Sequence, residues 1–183
     1  LSNVGFPQSY NKTITKRTSM INLSHFNEND EANMADNNKK KSNLRIAKAC
    51  GYINMSPDAI QTIVNSVQKN DVLSIARIAA IQGTKQASLL LPLHHFQPLA
   101  HVRVDFAIDL DVSRIKATVT VATKSKNGAE VEALTGVNIA LISIFDMVKS
   151  IDNNIVMTQI HLEKEGNEKE GLDYDNTYGN LDF

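Results

Sequence analysis

Residues 99–121 read LAHVRVDFAIDLDVSRIKATVTV, and the period of their apolar residues decides the fold class. Val102, Val104, Phe106 and Ile108 alternate with His101, Arg103, Asp105 and Asp109. Ile115, Ala117, Val119 and Val121 alternate with Arg114, Lys116, Thr118 and Thr120. A period of two sends one set to each face of an extended strand. The DLDVS segment at 109–113 reads as a turn. The two runs therefore predict an antiparallel hairpin that is apolar on one face, and another layer has to cover that face.

The covering layer is predicted on both sides of the hairpin. Upstream, 44–55 reads as a strand leading to a turn. Ser56 is a candidate N-cap, Pro57 suits the first helical position, and Ile60, Ile63, Val64 and Val67 follow helical spacing. Lys69-Asn70-Asp71 breaks that helix, and Asp71 can cap a second one carrying Val72, Ile75, Ile78, Ala79 and Gln82. Pro92 stops the apolar run of residues 89–93, so a loop is expected there. Downstream, Lys126-Asn127-Gly128 is a turn signal. Glu130 and Glu132, two apart, are expected to face the same way in an extended segment. From Ala133 to Ile151 the pattern becomes helical, with Thr135, Asn138, Asp146 and Lys149 on one stripe and mostly apolar residues elsewhere. A last strand is expected at 155–162. The order strand, helix, helix, hairpin, helix, strand predicts an α+β two-layer domain on a mainly antiparallel sheet.

Bulk properties exclude several classes. The chain has 183 residues, 42% hydrophobic and 21% charged, which suits a globular domain with a sizeable core. A formal net charge of −1 gives no general attraction to nucleic acid or to an anionic membrane. Aromatics are only 5% and Trp is absent, so base-stacking platforms are not expected. Cys50 is the one cysteine, which rules out an internal disulfide. No uninterrupted apolar run reaches membrane-spanning length. Residues 1–22 read as a leader. Residues 1–19 lack acids and carry Lys12, Lys16 and Arg17, the composition of a transit-peptide remnant or of an unstructured leader. The expected domain is 23–165, followed by a polar tail at 166–183. The compartment is expected to be cytoplasmic, or the mitochondrial matrix if the leader is a transit remnant.

Taken singly, the charged residues admit plain readings. Asp146 and Lys149, three apart, can be a surface ion pair, or an acid–base pair in a groove. Glu130 and Glu132 can be a solvated face, or can answer a cationic partner. His94-His95 is a weak metal signal, because no further His or Cys stands at ligand spacing. No metal site is expected. No phosphate-binding glycine loop, nucleophile elbow, HExxH or Cys-x-x-Cys occurs.

The runs KNDVLSIARIAAIQGTKQASLLLPLHH (69–95) and GAEVEALTGVNIALISIFDMVKS (128–150) resemble the MoaC family, the cyclic pyranopterin monophosphate synthases of molybdenum cofactor biosynthesis. The likeness extends upstream through LSHFNENDEANMADNN (23–38) and Leu44-Arg45, in one register to about Leu162. It implies a ferredoxin-like fold and a hexamer built as a trimer of dimers, with sites where subunits meet. It implies conversion of 3′,8-cyclo-7,8-dihydro-GTP into cyclic pyranopterin monophosphate with release of pyrophosphate. By the same resemblance Lys69, Asp146 and Lys149 handle protons. His95, Lys85 and Arg45 hold the triphosphate, Glu130 and Glu132 face the base or orient the lysines, and Asp36 lies near them. No cofactor is implied beyond Mg²⁺ accompanying the triphosphate, and neither nucleic acid nor membrane is an implied partner.

The chain departs from the family pattern at a few places. His94 stands where the pattern has Cys, Phe96 where it has Pro or His, and Asn70 where it has Gly. The family's G-G-K-S-G loop is replaced by GNEKEG at 166–171, with Lys169 as the candidate lysine and two added glutamates. An alternative from another class therefore stands beside the enzyme: a non-catalytic member acting as a binding or assembly partner.

Overall fold

The computed structural model describes residues 25, 31–35, 42–65 and 69–163, with side chains not described at 69–71. The expected leader at 1–22, the tail at 166–183 with Lys169, Asp36, Val67 and the side chains of Lys69 and Asp71 fall outside what is described. The elements run β1 (Asn43–Asn54), α1 (Pro57–Asn65), α2 (Lys69–Leu90), β2 (Leu99–Asp109), β3 (Arg114–Ser125), α3 (Glu130–Val148) and β4 (Val156–Glu163).

The hairpin forms as its alternation requires. β2 and β3 pair antiparallel, with Val104 opposite Val119 and Ile108 opposite Ile115. Ile115, Ala117, Val119 and Val121 are buried. β1 lies antiparallel to β3 on the other side, and β4 lies antiparallel to β1, so the strand order is β2-β3-β1-β4. Two split β-α-β crossings and this order make the fold ferredoxin-like, an α+β sandwich with four strands and three helices among the described residues. β1 and β2 run parallel, so α2 returns antiparallel to both, and α3 returns antiparallel to β3. The long helices α2 and α3 are consequently antiparallel to each other. The carboxyl end of α2 lies beside the amino end of α3, and the start of α2 beside the end of α3.

The core sits between the sheet and the helices. Ala133, Val137, Ala140, Leu141, Ile144 and Val148 form the inner stripe of α3, and each is nearly inaccessible. α1 contributes Ala59, Ile60 and Ile63 to the same core. α3 is long and apolar enough to cross a bilayer by length and composition alone. Its inner stripe packed on the sheet makes it a core helix.

Two contacts depend on a missing Cβ. A Cβ at Gly136 would collide with Thr84 Oγ1 of α2 and come within 3.0 Å of Val119 Cγ1. A Cβ at Gly51 would stand 2.9 Å from Ile160 and from Val137, and 3.0 Å from Leu141. The helix therefore rides directly on the backbone of β1 and against α2.

Three boundaries differ from expectation. α3 starts at Glu130, so Glu130 and Glu132 lie in its first turn rather than side by side on an extended segment. The partial positive charge of a helix amino terminus favours carboxylates there, and Ala133 N already donates to Ala129 O at 2.9 Å. The residue spacing of two then sends them to different sides. Glu132 is buried and Glu130 half-buried. α2 starts at Lys69, before the predicted cap, and α3 stops at Val148, where Lys149 closes it by donating to Phe145 O at 2.9 Å. The outer side of α3 is also more open than its composition implied, since Ile142 and Phe145 are exposed.

Polar ties hold the edges. Ser56 begins α1 as expected, its hydroxyl accepting from Ala59 N at 3.3 Å. Asp152 accepts from Asn154 N at 2.8 Å and from Ser56 N at 2.6 Å, and these backbone donors draw its carboxyl below the ordinary range. On the sheet face away from the helices, Glu163 accepts from Lys116 Nζ at 2.6 Å and lies 2.7 Å from Lys48 Nζ, tying β4 to β3 and β1. The two ammonium groups, Lys116 foremost, pull its carboxyl to about 2. Beneath it Cys50 is buried, and burial raises its thiol above the usual value.

Gly51→Ala is expected to destabilise the fold by roughly 1–3 kcal/mol, the usual effect of overpacking. Urea unfolding should show it as a lower midpoint with an unchanged slope. Glu163 gives a pH prediction. Its folded value is depressed, so its contribution is fully present above the ordinary 4.5 and fades as pH falls through about 2. Glu163→Gln should lose on the order of 1 kcal/mol at pH 7, and the gap to the parent should close in urea unfolding toward pH 2.

Candidate functional site at the two ends of helix α3

One end of the domain gathers most of the polar side chains singled out above. Here α2 finishes, β1 and β2 begin, β3 ends and α3 starts. Pro92 stops α2 after Leu90, and His94 N donates to Leu91 O at 3.1 Å to form a tight turn. The loop then carries His94, His95, Phe96 and Gln97 across the first turn of α3 before Pro98 leads into β2. Thr123 Oγ1 fastens its far end by donating to Pro98 O at 2.6 Å.

A cleft of about 270 Å³ opens at this end, lined by Thr84, Lys85, Ser88, Phe96, Gln97, Leu99 and Glu132. Glu132 is its buried acid, only 3% exposed. His94 Nε2 lies 2.8 Å from Glu132 Oε1, and Gln97 Nε2 donates to the same oxygen at 2.7 Å. The Gln97 amide also donates to Gly128 O at 2.7 Å. Glu132 Oε2 and Gln97 Oε1 are buried and receive no hydrogen bond from any described residue. A buried acceptor left this way carries a desolvation penalty of about 1–3 kcal/mol, which a donor on a ligand would relieve.

Of the other expected residues at this end, Lys85 lines the cleft, and Glu130, Arg45 and His95 sit on the elements and the loop that meet here. Lys85 is exposed at the cleft rim. Glu130 opens α3, and its carboxylate rests against Gly128 so closely that a Cβ there would collide with it. Arg45 pairs with Thr123 across β1 and β3 on the helix side of the sheet, and its Nε is buried with no acceptor among the described residues. His95 Nε2 reaches Ala35 O at 2.7 Å, which fixes that nitrogen as a donor. Asp36 lies outside the described residues.

The opposite end carries the remaining three. Lys149 Nζ meets Asp146 Oδ1 at 2.6 Å, with the side chains 56% and 68% exposed. The antiparallel helices place the backbone of Lys69, the first residue of α2, at this same end. Glu132 and Asp146 are fourteen residues apart on one helix, which at the helical rise is about 21 Å. A single chain thus brings together Arg45, Lys85, His95, Glu130 and Glu132 at one end, and holds Asp146, Lys149 and the start of α2 away from them.

Sequence reasoning missed His94 and Gln97 as partners of Glu132. The available signal was two polar side chains in a loop bounded by Pro92 and Pro98, next to a carboxylate that the helical period turns inward. No group of three or more His, Cys, Asp and Glu able to hold a metal occurs among the described residues.

Residues 34–167 match the MoaC family. Three curated proteins, each named cyclic pyranopterin monophosphate synthase, are similar along most of their length. The one from Limosilactobacillus fermentum (strain NBRC 3956 / LMG 18251) is 41% identical over 146 residues, covering 79% of this chain and 88% of that protein. The one from Sulfurovum sp. (strain NBC37-1) is 38% identical over 152 residues, 82% of this chain and 97% of that protein. The one from Roseiflexus sp. (strain RS-1) is 39% identical over 153 residues, 83% and 97% of the two chains. Among solved structures, a de novo designed protein with a ferredoxin fold aligns at 10% identity over 73% of this chain and 97% of its own, with a TM-score of 0.35. That likeness is too weak to add to the strand order.

The exposure of the Asp146–Lys149 pair sets its structural worth. Asp146→Asn and Lys149→Met are each expected to lower stability by less than about 1 kcal/mol. Thermal unfolding checks this, and a larger loss would make the pair a brace of the helix end.

Proposed function

The chain belongs to the MoaC family, and from that premise we propose that it is a cyclic pyranopterin monophosphate synthase acting in molybdenum cofactor biosynthesis. The substrate is 3′,8-cyclo-7,8-dihydro-GTP, and the products are cyclic pyranopterin monophosphate and pyrophosphate. The observation that carries this reading is the division of labour along α3. A carboxylate-bearing cleft with nearby cations lies at its start, and a lysine–aspartate pair lies at its end. The names of the similar proteins support the product, cyclic pyranopterin monophosphate.

The chemistry divides in the same way. Lys85, Arg45 and His95 offer charge and N–H donors to the triphosphate. Glu130 and Glu132 offer acceptors to the amino-pyrimidine part of the base, and Asp36 belongs to the same set by its place in the family pattern. Lys149, held by Asp146, and Lys69 move protons while the ring system opens and re-forms and the cyclic phosphate closes. Mg²⁺ enters as a companion of the triphosphate, whose oxygens suit it better than the lysine-rich end of the helix does.

Because about 21 Å separates the two sets within one chain, the reading requires a second copy. We propose that the protein assembles as a homo-oligomer, a hexamer made of three dimers. The start of α3 from one subunit then meets the end of α3 from its neighbour. The exposed Ile142 and Phe145 on the outer side of α3 offer apolar surface for such a contact. Enclosure would also move the Asp146–Lys149 pair from bulk water to a lower-dielectric interface, and its electrostatics would strengthen there.

Purified protein incubated with the cyclised GTP intermediate should release pyrophosphate and the cyclic pterin. A folded oligomer that forms no product would favour the non-catalytic alternative. Lys149→Ala and Glu132→Ala should each reduce turnover by about 100-fold or more. Refolded together in equal amounts, they should recover about a quarter of the parent's activity, because half the dimers are mixed and each of those holds one intact site. Recovery should not occur between Lys149→Ala and Asp146→Ala, which damage the same end. Equal recovery in both mixtures, or in neither, would overturn the shared-site geometry.

A further inference from the structure

The His94–Glu132–Gln97 cluster stands apart from the roles assigned above, since two of its three members were not expected at the site. His94 and Gln97 both approach Oε1 of Glu132, at 2.8 and 2.7 Å. The orientation of the Gln97 amide follows from its neighbours: Gly128 O and Glu132 Oε1 are both acceptors, so the group facing them must be the NH₂. The carboxylate is thereby held by one oxygen. Its other oxygen, Oε2, is buried, lacks any donor among the described residues, and belongs to a side chain that lines the cleft. Glu132 is 3% exposed and Gln97 6%.

The terminal torsion of a glutamate is broad, so a lone carboxylate would sample many orientations. Two donors on one oxygen remove that freedom before any ligand arrives, and a preorganised acceptor discriminates better than a mobile one. We propose that His94 and Gln97 are positioning residues that clamp Glu132 Oε1 and so set Oε2 as the acceptor for an exocyclic amino group on the bound base. The base identity rests on the proposed function; the clamp itself rests on the three side chains. His94 occupies the place where the family pattern has Cys, so this chain reaches Glu132 with an imidazole from a position that usually carries a thiol.

The experiment measures binding, not turnover, so that the two readings fail separately. GTP and ITP, which differ by the exocyclic amino group, are titrated calorimetrically into the full chain and its variants. The parent should bind GTP about tenfold more tightly than ITP, as a site built around a polar group rejects the analogue lacking it. His94→Leu and Gln97→Leu should each shrink that preference to about twofold, and His94→Gln, which keeps an N–H donor, should retain most of it. In a Glu132→Gln background, His94→Leu should change the preference no further. Thermal unfolding of each variant accompanies the titration, and His94→Gln and Gln97→Leu carry the test if His94→Leu does not fold. Equal affinity for GTP and ITP in the parent, no binding of either, or a His94→Leu effect that persists without Glu132 would overturn the clamp. Failure of the synthase reading would appear instead as no product from the cyclised substrate while the GTP preference stays intact.

Discussion

Everything at this site depends on how closely α3 approaches its neighbours. Gly51 and Gly136 remove the side chains that would hold it off β1 and α2, and the helix settles onto bare backbone. The van der Waals gain of that approach is spread over Val137, Leu141 and Ile144, each wholly buried. With its inner stripe locked, the helix has no rotational choice left. Glu132 must turn inward toward the cleft, and Asp146 and Lys149 must turn outward. A helix free to roll by one residue's angle would carry these charges elsewhere. The packing of two glycines thus fixes the chemistry available at both ends.

The antiparallel return of α2 supplies the second constraint. Thr84 lies against Gly136, so the last turns of α2 flank the first turns of α3, and Lys85 and Ser88 reach the cleft beside Glu132. The loop from Leu91 to Pro98 is short because it only has to step from the end of one helix to the start of an adjacent strand. Its shortness presses His94 and Gln97 against the carboxylate. Fold and site are joined here, since the connection that lets β2 join the sheet also delivers two donors to a buried acid.

Much of this was legible from residue order. The alternation at 102–108 and 115–121 named the hairpin, Ser56-Pro57 named the start of α1, and the apolar stripe of α3 was readable because tertiary packing reinforced the local pattern. Glu130 and Glu132 were misread as extended, since two carboxylates two apart suit a strand face as well as a helix amino terminus. Only the packing of Gly136 and Ala133 decides between them. Family resemblance picked out both sets of charged residues, yet no linear pattern shows that a single chain keeps them at opposite ends of one helix. His94 and Gln97 were opaque for a related reason: their meaning lies in a contact across 35 residues or more. A departure from a pattern looks like loss until its partner is seen.

The sheet's far face has a consequence for how the protein meets its surroundings. Cys50 lies 1% exposed under the β4 edge, its sulfur near His161 and the Glu163 carboxylate. Burial favours its neutral thiol, and the thiolate is the form that oxidants and electrophiles attack. The chain's only sulfhydryl is thus shielded twice, by access and by charge state, as long as β4 stays zipped to β1. Reactivity toward an alkylating reagent becomes a direct gauge of how often that outer strand breathes away from the body of the protein.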